Sequence, residues 1–269
     1  MSMISYAQNF EDVILARAFK EQPSGFYIDV GVWQATEHSV TRHFYDLGWS
    51  GVNIEPLPGN FEAIRAARPR DININAAASA HPGPLVFHEV RQTGLSTSRK
   101  DYAAMHASAG FDVRDVEVQC ISLKTVCDQH AQGRVIDFLK IDVEGAEADV
   151  VASADWKLYR PRIVVIEATV PLSPEVSYLD WEPTVLGAGY VFCYFDGLNR
   201  WFAREEEPEL RAAFHSPPNP FDGYRLAQVV DLERDLSVAR RELQKLKAES
   251  ESFKASLRST VRNLVRKWR

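Results

Sequence analysis

Three carboxylates follow a short apolar run in the stretch FLKIDVEGAE, residues 138–147. Asp142, Glu144 and Glu147 come directly after this run, and Gly145 stands among them. A buried strand that ends in acids indicates a ligand-binding or catalytic site, because ligands of α/β proteins bind beyond the carboxyl ends of parallel strands. Such acids can accept a proton, orient a hydroxyl group or hold a divalent ion through oxygen.

A second group of residues has the spacing of a nucleoside site. Asp29 and Gly31 end one predicted strand, and Glu55 ends the next. An acid at the tip of the neighbouring strand can accept hydrogen bonds from both hydroxyls of a ribose, and the glycine lets a ligand approach the backbone. Val32 and Trp33 follow Gly31, so the glycine cradle for a pyrophosphate is absent. A ligand with a ribose but no phosphates, such as S-adenosylmethionine, fits this pattern better.

The elements that must position these residues alternate between strand-like and helix-like patterns. This alternation predicts an α/β fold, with a mostly parallel sheet and helices on both faces. The predicted helices cover 36–47, the region of Phe61 to Ala67, 122–129, 146–153 and 178–187. The predicted strands are 26–32, 51–56, 71–79, 84–90, 116–122, 136–143, 162–168, 189–195 and 199–204.

Composition and charge narrow the class of protein. The chain has 269 residues, of which 45% are hydrophobic, and it can therefore bury a large core. Its net charge of −6 argues against nucleic acid as a partner. The three cysteines have no zinc-binding spacing, and the chain shows no signal peptide and no membrane-spanning run. These features predict a cytoplasmic protein.

The pattern changes after about residue 225, which predicts one domain over 1–225 and a helical segment over 226–269. The segment has an unbroken heptad pattern without Gly or Pro, typical of a coiled coil that joins copies of the chain into a homo-oligomer. A single amphipathic helix packed on the domain is the alternative. The a and d positions are Val229, Leu232, Leu236, Ala239, Leu243, Leu246, Ser250, Phe253, Leu257 and Thr260.

The last acid of the chain is Glu251, and the segment after it is basic and amphipathic. Such an end can lie on the anionic inner face of a membrane, which would make the protein peripheral to it. A solvated end of the helix is the alternative. The basic residues are Lys254, Arg258, Arg262, Arg266, Lys267 and Arg269.

Several separate motifs together resemble the FkbM-type S-adenosylmethionine-dependent methyltransferases, particularly members from bacterial polysaccharide and lipopolysaccharide clusters. The resemblance spans roughly residues 4–225. The segments that carry it are SYAQNFEDVIL (5–15), YIDVG (27–31), SVTRHFYDLGWSGVNIEP (39–56), DFLKIDVEGAE (137–147), IVVIEA (163–168) and FDGLNRWF (195–202).

The resemblance implies a class I methyltransferase fold, which is a mostly parallel seven-stranded sheet with a reversed edge strand. It also implies O-methylation, often of a sugar hydroxyl. The cofactor-binding residues that it implies are Gln8, Asn9, Asp12, Asp29, Gly31, Glu55, Pro56, Ser79 and Asp142. One position departs from the family, which has Ala-Asn where Val32-Trp33 stand here. An indole cannot copy the hydrogen bonds of the asparagine, but it can stack or form a wall of the pocket.

Two segments are candidates for contact with the acceptor. The insertion 91–115, which contains Ser96, has the composition of a mobile lid over substrate or cofactor. The motif FDGLNRW offers aromatic and amide groups that suit a sugar, although a packed β-hairpin explains its aromatic residues equally well. Its candidate residues are Tyr194, Asp196, Asn199 and Trp201.

Methyl transfer to a sugar hydroxyl needs alignment of the oxygen and removal of its proton. Asp142 is the first candidate for this work, Glu144 the second and Glu167 the third. The same three carboxylates are the predicted ligands if a metal takes part, but Mg²⁺ is the less favoured reading. Glu147 more readily serves the start of a helix.

The sequence therefore predicts an O-methyltransferase that acts on a sugar in surface-glycan or secondary-metabolite biosynthesis. A nicotinamide-dependent dehydrogenase is a fold-level rival that the missing glycine cradle disfavours, and two further alternatives stay open. One is a methyltransferase with a non-sugar small-molecule acceptor. The other is a non-catalytic scaffold that binds the cofactor and assembles glycan-synthesis enzymes through its coiled coil.

Overall fold

A computed structural model describes residues 3–267 of the chain. Two compact units are present, one from Met3 to Tyr224 and one that starts at Arg225. The described helices are α1 (Glu11–Ala18), α2 (Arg42–Asp46), α3 (Pro58–Ala67), α4 (Lys100–Ser108), α5 (Leu123–His130), α6 (Glu147–Ala152), α7 (Glu182–Gly187) and α8 (Ala227–Lys267). Short 3₁₀ helices cover Tyr178–Asp180, Pro208–Phe214 and Pro220–Asp222.

The strands of the described residues fall into separate sheets. They are β1 (Met3–Ser5), β2 (Phe26–Val30), β3 (Ser50–Ile54), β4 (Ile72–Ile74), β5 (Ala77–Ala78), β6 (Gly83–Val90), β7 (Val113–Ile121), β8 (Phe138–Ile141), β9 (Ile163–Glu167), β10 (Tyr190–Phe195), β11 (Asn199–Arg204) and β12 (Tyr224–Leu226).

The main sheet has seven strands in the order β10-β11-β9-β8-β2-β3-β4 within the described residues. The strands from β9 to β4 pair in parallel, whereas β11 is antiparallel to both β9 and β10. The α/β fold with a mostly parallel sheet is thus confirmed. The expectation of a reversed edge strand is wrong, because the β10–β11 hairpin places the reversed strand inside the sheet and β10 at its edge.

Both faces of the main sheet are covered, as predicted. Ile28 and Val164 point to a core formed with α5, α6 and α7. Their chain neighbours Tyr27 and Val165 point to the opposite core, which includes Ile14 of α1. Successive strand residues face opposite sides, so strands buried on both faces are apolar throughout.

The predicted third strand over 71–79 is instead two strands in different sheets. β4 ends the main sheet, and β5 pairs with β7 in a three-stranded sheet that also contains β6. Between them, the Nδ2 atom of Asn75 donates hydrogen bonds to the backbone oxygens of Glu55 and Pro56, at 3.0 and 2.9 Å. These bonds hold the chain where it leaves the main sheet.

The predicted helix over 36–47 is much shorter, since only Arg42–Asp46 is helical. The guanidinium of Arg68 is fully buried and donates to the backbone oxygen of Ala35, which holds the preceding loop outside a helix. His38 also has a φ of 57°, which a right-handed helix does not allow.

The second unit consists mainly of α8, a helix of 41 residues. Its apolar side chains are exposed; Leu232, for example, retains 68% of its accessible surface. Within residues 3–267, no helix combines the length and the apolar character needed to cross a bilayer.

Candidate active site

A cavity of about 310 Å³ lies at the carboxyl ends of β2, β3 and β8. It is the place where an α/β sheet binds ligands. The cavity brings together part of the predicted cofactor, catalytic and substrate residues, namely Gln8, Gly31, Glu55, Pro56, Ser79, Ser96, Asp142 and Glu144.

Glu55 is held at the cavity by three donors. The backbone N–H of Trp33 donates to Oε2 at 3.0 Å, and the N–H of Leu57 and Nδ2 of Asn60 donate to Oε1 at 3.0 and 3.2 Å. Burial raises the pKa of this carboxyl, while these hydrogen bonds act in the opposite direction. Because Oε2 accepts a single bond, it retains capacity for a ligand hydroxyl.

Gly31 brings β2 and β8 together at the floor of the cavity. Its φ is +82°, and a Cβ atom built there would lie 1.8 Å from the backbone oxygen of Asp142. Any other residue would push the two strands apart. The glycine is therefore required for the geometry of the strand ends and for access to the backbone.

Trp33, the position that departs from the family pattern, forms a wall of the cavity. Its ring lies 5.4 Å from the ring of His38. On another side, a Cβ atom on Gly94 would approach the indole to 3.2 Å. The indole of Trp33 thus packs against the first part of the insertion 91–115. Its backbone N–H, and not its side chain, donates the hydrogen bond to Glu55.

Lys140 is a residue of this site that the sequence interpretation missed. Its side chain is buried, lines the cavity, and places Nζ 3.2 Å from Oδ2 of Asp142 and 3.0 Å from the backbone oxygen of Gly31. Burial alone would lower the pKa of Lys140, but Asp142 and Asp29 outweigh it and raise the pKa. A lysine inside the otherwise apolar run FLKI was the available signal.

Asp29 has a different place from the one expected. It is buried and does not line the cavity, so its side chain is not positioned to contact a cofactor. Its Oδ2 accepts a hydrogen bond from Oγ1 of Thr41 at 2.8 Å, and its Oδ1 lies 3.7 Å from Nζ of Lys140. Asp29 therefore positions Lys140 from beneath the site.

Asp142, Glu144 and Glu167 form a carboxylate cluster, with one oxygen of each within 4.8 Å of the others. Oε2 of Glu144 and Oε2 of Glu167 are buried and make no hydrogen bond. Burial, and next the charge of Asp142, raise the pKa of Glu144 and of Glu167 well above the ordinary value. This cluster can accept a proton at the edge of the cavity.

The carboxylate cluster also has the chemistry of a site for a hard divalent cation. Three carboxylate oxygens from the ends of two adjacent strands match the ligand preference of Mg²⁺ and Ca²⁺. The orphan oxygens of Glu144 and Glu167 have free lone pairs for such an ion. The ammonium of Lys140, however, already provides a positive charge next to Asp142.

Glu147 supports the loop that carries the cluster. Its Oε1 accepts the backbone N–H groups of Val143 and Gly145, both at 3.1 Å. Glu144 lies between them with a φ of 54°, an uncommon conformation for a residue other than glycine. These bonds hold Glu144 in that conformation and give Glu147 the structural position expected of it.

The insertion 91–115 contains α4, and its first part closes one side of the cavity. Thr97 is fully buried, exchanges backbone hydrogen bonds with His88, and donates from Oγ1 to the backbone oxygen of Glu144 at 2.8 Å. Ser96 lines the cavity while its Oγ accepts the N–H of Val90 at 3.0 Å. The mobility of this segment stays a prediction.

The N-terminal candidates differ in position. Gln8 lines the cavity, whereas Asn9 and Asp12 are not among the described residues that do so. Asp12 is fully buried, and its carboxylate accepts bonds from Oγ of Ser5 and the N–H groups of Tyr6 and Ala7. These bonds fix the N-terminal segment, and the role of Asp12 as a cofactor ligand stays a prediction.

The motif FDGLNRW forms a packed hairpin, which was the alternative interpretation. Trp201 is fully buried, and its Nε1 donates to Oδ2 of Asp196 at 2.7 Å. Asn199 is buried and donates from Nδ2 to Oε1 of Glu11 at 2.9 Å. Tyr194 packs against the core beside α1. The side chains of Asp196, Asn199 and Trp201 stabilise the β10–β11 turn, and their contact with a substrate stays a prediction.

The fold and site define a class of protein: an α/β protein with a ligand cavity and acidic groups at the carboxyl edge of its parallel strands. The model of the methyltransferase FkbM domain matches residues 24–192, which is more than half of the 269-residue chain. The chain belongs to this methyltransferase family. No curated protein matches it.

Solved structures resemble the chain only distantly. A fibrillarin pre-rRNA processing protein from Methanococcus jannaschii has 13% identity and a TM-score of 0.37, over 68% of this chain and 67% of that one. A precorrin-6y C5,15-methyltransferase from Geobacter metallireducens has 12% identity and a TM-score of 0.36, over 74% of this chain and 93% of that one. An O-methyltransferase from Bacillus cereus, solved with SAH, has 12% identity and a TM-score of 0.33, over 74% of this chain and 80% of that one. TM-scores this low do not establish a shared function.

Proposed function

We propose that the protein transfers a methyl group from S-adenosylmethionine to a hydroxyl of a sugar, in surface-glycan or secondary-metabolite biosynthesis. The observation that supports this proposal is that Glu55, Asp142 and Glu144 line one cavity in a chain of the methyltransferase FkbM family. We assign Glu55 to the nucleoside of the cofactor, and Asp142 and Glu144 to the acceptor.

The residues along the cavity match the parts of S-adenosylmethionine. Glu55, with its free capacity at Oε2, would hold the ribose hydroxyls. Ala77, Leu85 and Phe87 offer an apolar surface beside Ser79 for the adenine ring. Gly31 leaves backbone accessible at the strand end between these two regions.

When bound, S-adenosylmethionine supplies an electrophilic methyl group on a sulfonium, which is a good leaving group. The protein must then orient the acceptor oxygen and take its proton. We assign the proton to the carboxylate of Glu144, whose Oε2 has no partner and whose pKa is raised by burial. A raised pKa makes the carboxylate a better proton acceptor, provided that it is ionised.

Asp142 would orient the acceptor, because Lys140 holds its Oδ2 in place. Gln92, Ser96 and Ser98 add amide and hydroxyl groups along the same cavity, beside the indole of Trp33. Amide and hydroxyl groups bind sugar hydroxyls, and an aromatic ring covers the apolar face of a sugar ring. This mixture of groups supports a sugar acceptor.

The first experiment is calorimetric titration of S-adenosylmethionine and S-adenosylhomocysteine into the purified chain. We expect both ligands to bind with 1:1 stoichiometry. Nucleotide sugars and glycan fragments are then screened for a mass gain of one methyl group. Absence of binding by either ligand contradicts the cofactor site. Binding with transfer only to non-sugar acceptors would contradict the sugar assignment alone.

A cytoplasmic location and contact of the basic end of α8 with an anionic membrane stay predictions. Arg258 and Arg262 are exposed on α8, whereas Trp268 and Arg269 of the same basic end lie outside the described residues. Cosedimentation with anionic vesicles, compared with neutral ones, tests this contact.

A further inference from the structure

The helix α8 exposes a continuous apolar stripe. The helix runs without interruption from Ala227 to Lys267. On its apolar stripe, Leu232 and Phe253 retain 68% and 67% of their accessible surface. The heptad pattern predicted from the sequence thus falls on one unbroken helix. We call the a and d positions of this helix the seam; its exposed large members are Val229, Leu232, Leu236, Leu243, Leu246, Phe253, Leu257 and Leu264.

The charges beside the seam are sorted by position. With Val229 at position a, the acids Asp235, Glu242 and Glu249 stand at successive g positions, on one side of the seam. The bases Arg240, Lys247 and Lys254 stand at successive e positions, on the other side, and follow the acid Glu233 at the first e position. Positions e and g are the ones that form interhelical salt bridges in coiled coils.

This arrangement distinguishes the two orientations that a pair of identical helices can adopt. In a parallel, in-register pair, each g residue faces the e residue of the next heptad in the other helix. Asp235 then meets Arg240, Glu242 meets Lys247, and Glu249 meets Lys254, so each of these contacts joins opposite charges. In an antiparallel pair, g faces g and e faces e, so the three acids would meet one another and Arg240 would meet Lys247, while only Lys254 would meet an acid, Glu233.

Most of the side chains needed for these contacts are unpaired in the described part of α8, whereas Asp235 and Lys254 form exposed ion pairs with Arg234 and Glu251 at 3.8 and 3.3 Å. Within the described part of α8, Glu242, Lys247 and Glu249 form no ion pair closer than 4.0 Å. A shift by one heptad would leave seam residues unpaired at both ends and lose one row of opposite-charge contacts. The charge pattern therefore favours one register as well as one orientation.

We propose that α8 binds α8 of a second copy of this chain, parallel and in register, through the seam and these three rows of opposite charges. The inference concerns assembly and is independent of methyl transfer. It specifies a self-complementary surface and excludes the antiparallel pairing that the apolar stripe alone would also allow.

Disulfide trapping in the full chain tests the orientation. Leu232→Cys lies at a d position near one end of α8, so a parallel pair brings two copies within about 6 Å, a distance that a disulfide can bridge. We expect mild oxidation to give a covalent dimer. Arg234→Cys, which points outward, and the wild-type chain with its three native cysteines measure the background. A yield from Leu232→Cys no higher than theirs would overturn the parallel arrangement.

Charge reversal tests the salt-bridge rows. The triple change Arg240→Glu, Lys247→Glu and Lys254→Glu replaces attraction by repulsion, and we expect self-association to weaken by about tenfold or more. The matched control, Arg241→Glu with Lys245→Glu and Arg258→Glu, makes the same change of net charge at outward positions. It should associate like the wild type, which should have the mass of two chains in light scattering.

A rescue variant separates charge pairing from loss of the helix. Adding Asp235→Lys, Glu242→Lys and Glu249→Lys to the triple variant restores opposite charges in every row, with the signs exchanged. We expect its association to return to the wild-type level. A wild-type mass of one chain, or failure of the rescue in a variant that keeps its helical circular dichroism, would refute the proposal.

Discussion

The ammonium of Lys140 lies 3.2 Å from Oδ2 of Asp142, at the point where β8 ends in the cavity. The same ammonium lies 3.7 Å from Oδ1 of the buried Asp29. Lys140 therefore joins a half-buried carboxylate that faces the cavity to a fully buried one beneath it. Within the carboxylate cluster it contacts only Asp142, whose charge still raises the pKa of Glu144 and Glu167.

The change Lys140→Met should destabilise the protein, because it leaves the charge of Asp29 buried without its cation. We expect a loss of about 3 kcal/mol in the free energy of unfolding, measured by urea denaturation. Adding Asp29→Asn should recover much of this loss, since the amide oxygen can still accept from Thr41. Equal stability of wild type and Lys140→Met would show that the ion pair of Lys140 with Asp29 contributes nothing to the free energy of unfolding.

The change Glu55→Gln should weaken binding of S-adenosylmethionine by about tenfold to a hundredfold, because a charged hydrogen bond to a ribose hydroxyl contributes about 1.5–3 kcal/mol. Calorimetry measures the affinity. Glu62→Gln is the control, since Glu62 is an exposed acid in the following helix, α3. If the two variants bind the ligand equally well, Glu55 is not a ribose ligand.

The change Glu144→Gln should lower the rate of methyl transfer by about a hundredfold or more, as expected for a lost general base. Affinity for S-adenosylmethionine should stay unchanged. In the wild type, burial raises the pKa of Glu144, so activity should rise with pH through an inflection above 4.5, the ordinary pKa of glutamate. A pH profile of the variant that keeps this inflection would assign the proton to another group.

Removal of divalent ions tests the second chemistry of the carboxylate cluster. We expect chelator-treated protein to keep its methyl-transfer rate, because Lys140 already supplies a cation at Asp142. The rate is measured with an acceptor from the screen, before and after addition of Mg²⁺. Loss of activity with chelator and its return with Mg²⁺ would instead make Asp142, Glu144 and Glu167 metal ligands.

The stability of the wild type relative to Glu11→Gln should fall as pH rises from 4.5 to 7. Burial raises the pKa of Glu11 in the folded chain to about 7 from an ordinary value of 4.5. The folded state therefore binds the proton more tightly, and stability gained below pH 4.5 is lost through about pH 7. The difference should be about 3 kcal/mol. Urea unfolding across this range measures it, and a constant difference would contradict it.

The alternation of strands and helices, and the position of acids after strands, could be predicted from the sequence alone. Short apolar runs rich in Val and Ile, such as 136–143 and 162–168, are typical of buried parallel strands, and acids directly after such strands stand at the carboxyl edge of the sheet. For this reason Glu55, Asp142 and Glu144 were found without a structure. The heptad pattern of α8 was readable for the same reason, since it depends on local periodicity.

Only the tertiary structure decided which polar residues face the cavity and which face the protein interior. Asp29, Asp142 and Asp196 look alike in the sequence, yet one lies beneath the site, one in it and one in a hairpin turn. The difference depends on partners distant in the chain, such as Lys140 for Asp29 and Trp201 for Asp196. Local pattern fixes the edge at which a side chain emerges, whereas long-range packing and hydrogen bonding fix what it touches.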